Sequence, residues 1–107
     1  MASTPEAKVK AKIKKILTEN GVYYAMPIGS GYGNSGVPDF LCCVDGRFFA
    51  IEAKANGNVP TALQLKHIKA IREAGGSAFV VDETNLGYLE ATIKKLKGRN
   101  DHSDHRL

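Results

Sequence analysis

Helical periodicity in the hydrophobic positions predicts three helices. The first helix opens at Thr4-Pro5 and ends before Gly21, because threonine caps helices well and proline favours the first helical position. The second helix follows Thr61 and ends at Gly75-Gly76. The third helix covers about residues 86–97. Apolar residues at helical spacing mark the inward faces, in order Val9, Ile13, Ile16, Leu17; Leu65, Ile68, Ile71; and Leu86, Leu89, Ile93, Leu96.

Four further segments have the composition of strands. Residues 22–28 form the first predicted strand, and a glycine-rich loop follows them. Residues 37–54 form a β-hairpin around Asp45-Gly46, a dipeptide that adopts the positive φ angles of a two-residue turn. Residues 77–82 form a buried strand. The order αβββαβα predicts an α/β fold with a mixed sheet flanked by helices.

Length and composition indicate one globular domain. The chain has 107 residues, 43% hydrophobic and 24% charged, which is typical of globular proteins and leaves no room for a second core. The domain is expected to cover residues 1–98, and residues 99–107 are expected to form a disordered tail. Cys42 and Cys43 are adjacent and face opposite sides of a strand, which favours a reducing, cytosolic location. No stretch is apolar enough to predict a membrane span or a signal peptide.

The hairpin turn fixes which residues face each other. Counting outward from Asp45-Gly46 pairs Val44 with Arg47 and ends with Asp39 opposite Glu52. Side chains alternate along a strand, so Lys54 projects from the same face as Glu52. Two opposed carboxylates destabilise a sheet unless something neutralises them. Either the pair shares a proton, which raises one pKa, or it binds a hard divalent cation, for which Mg²⁺ or Mn²⁺ is suited.

The chemistry of these three residues suits phosphate-ester hydrolysis. A lysine beside a bound cation can orient or deprotonate an attacking water, or neutralise charge that develops on phosphorus. The alternative is structural: Asp39 caps a loop, and Glu52 and Lys54 form an ordinary pair on an exposed strand.

On these residues the chain resembles the PD-(D/E)xK nuclease superfamily. Pro38-Asp39 matches its first element, and Glu52-Ala53-Lys54 matches its E-x-K element. From Thr4 to about Lys97 the chain is similar to the virus-type replication-repair nuclease (VRR-NUC) domain, of the small stand-alone type that resembles Holliday-junction resolvases. The resemblance implies a restriction-endonuclease-like core and a metal-dependent DNA endonuclease selective for branched or junction DNA. It also implies a homodimer acting in replication, recombination or repair in the cytoplasm of a bacterial or phage-infected cell.

The same resemblance implies roles for further positions. Asp39, Glu52 and the backbone carbonyl of Ala53 would bind the metal, with Lys54 catalytic. Gln64 matches a glutamine near the active site, although Thr61 and Gln64 also have the spacing of a capping box. Glu6 matches a first-helix glutamate that contributes to metal binding, although an acidic residue also favours the helix dipole there. Ser30 matches a loop serine that contacts phosphate or metal-bound water, although loop serines are common.

Charge supports a polyanionic partner. Fifteen Lys and Arg against eleven Asp and Glu give a net charge of +4. Lys8, Lys12 and Lys15 on the first helix are candidate DNA-binding residues, although such a run is also typical of a solvated helix face. Two other functional classes stay open, a non-catalytic nucleic-acid-binding module and a metal-free dimerisation domain. The first and last helices are candidate dimer surfaces. Tyr23, Tyr24 and Tyr32 are expected to pack in the core or in loops rather than to stack on bases.

Overall fold

Seven elements follow one another in the predicted order. The computed structural model describes residues 4–28 and 36–98. It places α1 at Pro5–Glu19, β1 at Tyr23–Ala25, β2 at Phe40–Val44, β3 at Arg47–Ala53, α2 at Ala62–Glu73, β4 at Ser77–Val81 and α3 at Leu86–Lys97. The predicted tail and the predicted loop residues Ser30 and Tyr32 lie outside the described residues.

The four strands form one mixed sheet in the order β1-β2-β3-β4. The first three strands are antiparallel, and β4 is parallel to β3 because α2 returns the chain to the other end of the sheet. The hairpin pairs from Val44↔Arg47 to Phe40↔Ile51 confirm the register counted from the turn, and the ladder ends one pair before the predicted Asp39–Glu52 pair. Asp45 and Gly46 both have positive φ angles, 49° and 78°, as a type I′ turn requires. The α/β fold is therefore confirmed.

Helices cover the two faces of the sheet unequally. Helices α1 and α3 pack on one face, where the larger core includes Ile13, Phe40, Phe49 and Ile93. Helix α2 covers part of the other face, through Ile68 packed against Ala50 and Ala78. The inward stripes of α1 and α3 pack into this larger core, with Ile16, Leu86 and Leu96 only partly buried.

Three local predictions were wrong. Leu65 was expected inward but is 51% exposed, because the phase of α2 points Gln64 and Ile68 at the sheet instead. Tyr23 is 74% exposed, since it lies on the half of the sheet that α2 leaves uncovered. The first strand has only three residues rather than seven.

Strand β4 lies at the edge of the sheet, with Ala78 and Val81 buried, as predicted, and its other three residues half-buried. Its two outward carbonyls are capped by side chains: Arg72 Nη2 donates to the Ala78 carbonyl at 2.7 Å, and Asn85 Nδ2 donates to the Val80 carbonyl at 3.0 Å. Capped edge carbonyls are not available to pair with another strand, which protects the edge from unwanted sheet extension. Within residues 4–28 and 36–98, no helix is long and apolar enough to cross a membrane.

Candidate active site

The candidate site lies where β2 begins and β3 ends, beside the first turns of α1 and α2. Asp39 directly precedes β2 and follows the fully buried Pro38. Glu52 is the second-last residue of β3, and Lys54 follows that strand. The chain therefore brings together the three residues that the hairpin register predicted.

Glu52 is the most constrained residue of the site. Its side chain is only 3% exposed. Its Oε2 accepts a hydrogen bond from Gln64 Nε2 at 3.1 Å and lies 3.7 Å from Lys54 Nζ. Its Oε1 is buried and has no hydrogen-bond partner among the described residues. Because an unsatisfied buried carboxylate oxygen costs free energy, Oε1 marks a position where a ligand would be stabilising.

Gln64 both completes a capping box at the start of α2 and contacts Glu52 in the candidate site, the two alternatives that the sequence left open. Its Oε1 accepts from the backbone N–H of Thr61 at 2.9 Å, and the Thr61 hydroxyl accepts from the Gln64 N–H at 3.2 Å, which completes a capping box. The Thr61 N–H can only donate, so the amide oxygen of Gln64 must face it and the amide nitrogen must face Glu52. One side chain therefore starts α2 and orients the buried carboxylate.

Asp39 is held from two sides. Its Oδ2 accepts from the backbone N–H of Ala53 at 2.8 Å, just past the last ladder pair of the hairpin. Its Oδ1 lies 3.4 Å from Lys10 Nζ. The contact with Ala53 places the Asp39 carboxylate at the end of β3, next to Glu52.

Among the acidic residues of the site, Glu52 has the pKa that is shifted most. The pKa of Glu52 is raised to about 7: burial is the largest cause, the charge of Asp39 acts in the same direction, and the charge of Lys54 opposes both. The protonated form is also favoured because, once protonated, Glu52 can donate to the neighbouring Asp39 carboxylate, and because Glu6 adds negative charge nearby. A carboxyl group with such a pKa shares a proton with its neighbour or needs a cation at neutral pH, the two alternatives predicted from the opposed pair.

Lys10 is the site residue that the sequence interpretation missed. Its Nζ lies 3.5 Å from Glu6 Oε2 and 3.4 Å from Asp39 Oδ1, so its ammonium joins the two acids. Burial lowers the pKa of Lys10, but the charges of Asp39 and Glu6 and hydrogen bonds to them leave it raised. The available signal was the four-residue spacing of Glu6 and Lys10, which places both on one helix face.

The other predicted positions take different places. Glu6 is partly exposed and pairs with Lys10. Ala53 is fully buried, and its N–H binds Asp39, while a role for its carbonyl stays a prediction. Lys8, Lys12 and Lys15 are exposed on the side of α1 away from its buried stripe.

The donor set fits a hard divalent cation. In the described part of the chain, no three His, Cys, Asp or Glu side chains form a ready metal cluster. However, Mg²⁺ usually needs only one or two protein carboxylates, since water and substrate phosphate complete its shell. The partnerless Oε1 of Glu52 beside the Asp39 carboxylate meets that need.

Comparisons with known proteins do not identify the family. No family model matches the chain, and no curated protein matches it. The relationship to VRR-NUC domains therefore stays a prediction based on the sequence motifs.

Proposed function

We propose that the protein is an Mg²⁺- or Mn²⁺-dependent DNA endonuclease of the PD-(D/E)xK type, within the VRR-NUC group. One observation carries the proposal: a buried glutamate with a raised pKa and a partnerless oxygen lies beside an aspartate and a lysine. Strongly perturbed carboxyl groups that converge in this way are typical of catalytic sites, although structural ion pairs also perturb pKa values.

Asp39 and Glu52 would hold the cation, with the carbonyl of Ala53 as a further oxygen ligand and Glu6 as an outer acidic residue. The two carboxylates would already be oriented when the cation binds, because the Ala53 N–H holds Asp39 and the Gln64 amide holds Glu52. When bound, the cation would polarise the phosphate and make an attacking water more acidic.

Lys54 would act on the reacting phosphate. Its side chain is 12% exposed, and its Nζ lies 3.7 Å from Glu52 Oε2, so its ammonium is held beside the Glu52 carboxylate. From there it would orient the attacking water and stabilise the negative charge that develops on the phosphate oxygens. Gln64 is a positioning residue, since its amide fixes Glu52.

DNA is the proposed substrate, with branched or junction DNA preferred. A net charge of +4 and the exposed Lys8, Lys12 and Lys15 on α1 favour binding to a phosphate backbone. Ser30 is proposed to contact the phosphate as well. The preference for branched DNA rests on the resemblance to resolvase-like nucleases. A reducing, cytoplasmic location is also proposed, since Cys42 and Cys43 are both free thiols.

A homodimer would provide two active sites for two strands. The sheet face that α2 leaves uncovered is the proposed contact surface. Tyr23, Cys43 and Phe48 lie side by side across three strands on this face and are all exposed, Phe48 to 45%. Such an isologous contact would be disrupted by Phe48→Asp. Light scattering should then report a monomer, and a monomeric wild-type protein at working concentration would contradict the dimer.

Cleavage assays test the proposed activity. Wild-type protein is incubated with four-way junction, flapped, linear duplex and single-stranded DNA in Mg²⁺, in Mn²⁺ and in EDTA. We expect metal-dependent cleavage, strongest on branched DNA, and losses of about 100-fold or more in Asp39→Asn and Lys54→Met. DNA binding should largely persist in both variants. Glu73→Gln is the matched control, because Glu73 is exposed and its ion pair in the described part of the chain is with Lys69 on the same helix, and it should cleave normally.

Two results would contradict the proposal. Cleavage that survives both Asp39→Asn and Lys54→Met would exclude this site. Binding without cleavage of any substrate would favour the alternative, a non-catalytic nucleic-acid-binding module held to DNA by its exposed lysines.

A further inference from the structure

Lys10 occupies a position in the acidic cluster that has no role in the mechanism above. Its ammonium lies 3.4 Å from Asp39 Oδ1 and 3.5 Å from Glu6 Oε2, and its side chain is 31% exposed. The neighbouring lysines Lys8 and Lys12 are exposed instead. Lys10 is therefore the lysine of α1 that points its charge at the site.

The ammonium of Lys10 supplies the positive charge that the acids need when no metal is bound. Asp39 uses Oδ2 to accept from Ala53 N–H, so Oδ1 is the oxygen left for a cation, and Lys10 lies against it. A divalent ion that joins Asp39 to Glu52 would meet a positive charge only a few ångströms away. Like charges at this separation in a partly buried site repel strongly.

We propose that Lys10 is a tethered counter-ion that competes with the divalent cation for Asp39. The inference rests on the proposed metal site at Asp39 and Glu52. Metal binding displaces the ammonium from Asp39, and Glu6 retains it through the four-residue pair on α1. Lys10 thus keeps the metal-free acidic cluster folded and lowers the affinity of the site for the cation.

Mn²⁺ titration at pH 8, followed by electron paramagnetic resonance of free Mn²⁺, tests this role without DNA or turnover. Lys10→Met removes the charge but keeps an unbranched side chain of similar length. We expect its Kd for Mn²⁺ to be about five- to fiftyfold lower than that of the wild type. Lys10→Gln should change the Kd in the same direction. Lys14→Met removes the same charge from an exposed position one turn away, and its Kd should stay within about twofold of the wild-type value.

A second measurement needs no variant. In the wild-type protein, the Lys10 side-chain ¹⁵N resonance should shift during an Mg²⁺ titration and saturate together with metal binding. A Lys10 resonance that does not respond would overturn the proposal. Unchanged or weaker Mn²⁺ affinity in both Lys10 variants would overturn it too, while the proposed metal site would stand. Absence of Mn²⁺ binding in the wild type and in every variant would overturn the counter-ion role and the proposed metal site together.

Discussion

Replacing Glu52 with glutamine should make the metal-free protein more stable at high pH. In the unfolded chain the Glu52 carboxyl has its ordinary pKa of 4.5, and in the folded state burial, together with the charge of Asp39, raises this pKa to about 7. Below about pH 4.5 the group is protonated in both states and costs nothing. Between these values the unfolded chain loses its proton first, so stability falls as pH rises, and the full cost is present above pH 7.

The size of the effect follows from the same pKa. A rise from 4.5 to about 7 corresponds to about 3 kcal/mol of lost stability at pH 8. Glu52→Gln removes this cost, and the value already includes the favourable 3.7 Å pair with Lys54 that the variant loses. We therefore expect the variant to be about 1–3 kcal/mol more stable at pH 8 and about equal to the wild type, or slightly less stable, at pH 4.5.

Urea denaturation in EDTA, followed by far-ultraviolet circular dichroism between pH 4.5 and 8.5, measures this difference. All other titrating groups are common to the two proteins, so the pH dependence of the difference in unfolding free energy reports the titration of Glu52 and its coupling to Asp39 and Lys54. Glu73→Gln is the control, and its difference from the wild type should vary little with pH, because Glu73 is exposed. If Glu52→Gln is less stable than the wild type by the same amount at every pH, the ionised Glu52 carboxylate does not destabilise the folded protein, which contradicts its raised pKa.

Three further substitutions test the supporting structure by chemical denaturation. Gln64→Leu loses both the capping interaction and the hydrogen bond to Glu52, and should cost about 1–3 kcal/mol; a loss near zero would contradict the dual role. Gly36→Ala should cost about 1–3 kcal/mol, because φ is +97° and a Cβ would lie 2.7 Å from Leu63 Cγ; an unchanged midpoint would contradict this close approach. Leu65→Gln should change stability by less than about 0.5 kcal/mol, whereas Ile68→Ala should cost about 2–5 kcal/mol; equal losses would mean that the phase of α2 is wrong.

The hairpin could be predicted in detail because its turn has only two residues. Once Asp45-Gly46 takes positive φ angles, each pair along the strands follows by counting. This placed Glu52 and Lys54 on one face and brought Asp39 near them. The hydrogen bond from Ala53 N–H to Asp39 lies beyond the last ladder pair, so the pairing rule alone did not give it.

The remaining features depended on tertiary placement that the sequence does not encode locally. Leu65 and Gln64 are adjacent on α2. Either residue could share the inward helix face with Ile68, because the spacings of three and four residues are both helical. The contact of Gln64 with Glu52 decides the phase. The place of β4 at the edge depends on how α2 returns the chain, since an apolar strand can also lie in the middle of a parallel sheet. Lys10 was missed for the same reason, because its partner Asp39 is distant in sequence.

The claim that Asp39 and Glu52 together bind a divalent cation is tested most directly by anomalous diffraction. Crystals grown near pH 8 and soaked in Mn²⁺ would locate the ion without any assumption about activity. The account predicts one anomalous peak in direct contact with Glu52 Oε1 and an Asp39 carboxylate oxygen, with the Lys10 ammonium moved away from Asp39. Fully soaked crystals with no peak between these two carboxylates, or with Mn²⁺ bound only elsewhere on the surface, would contradict it.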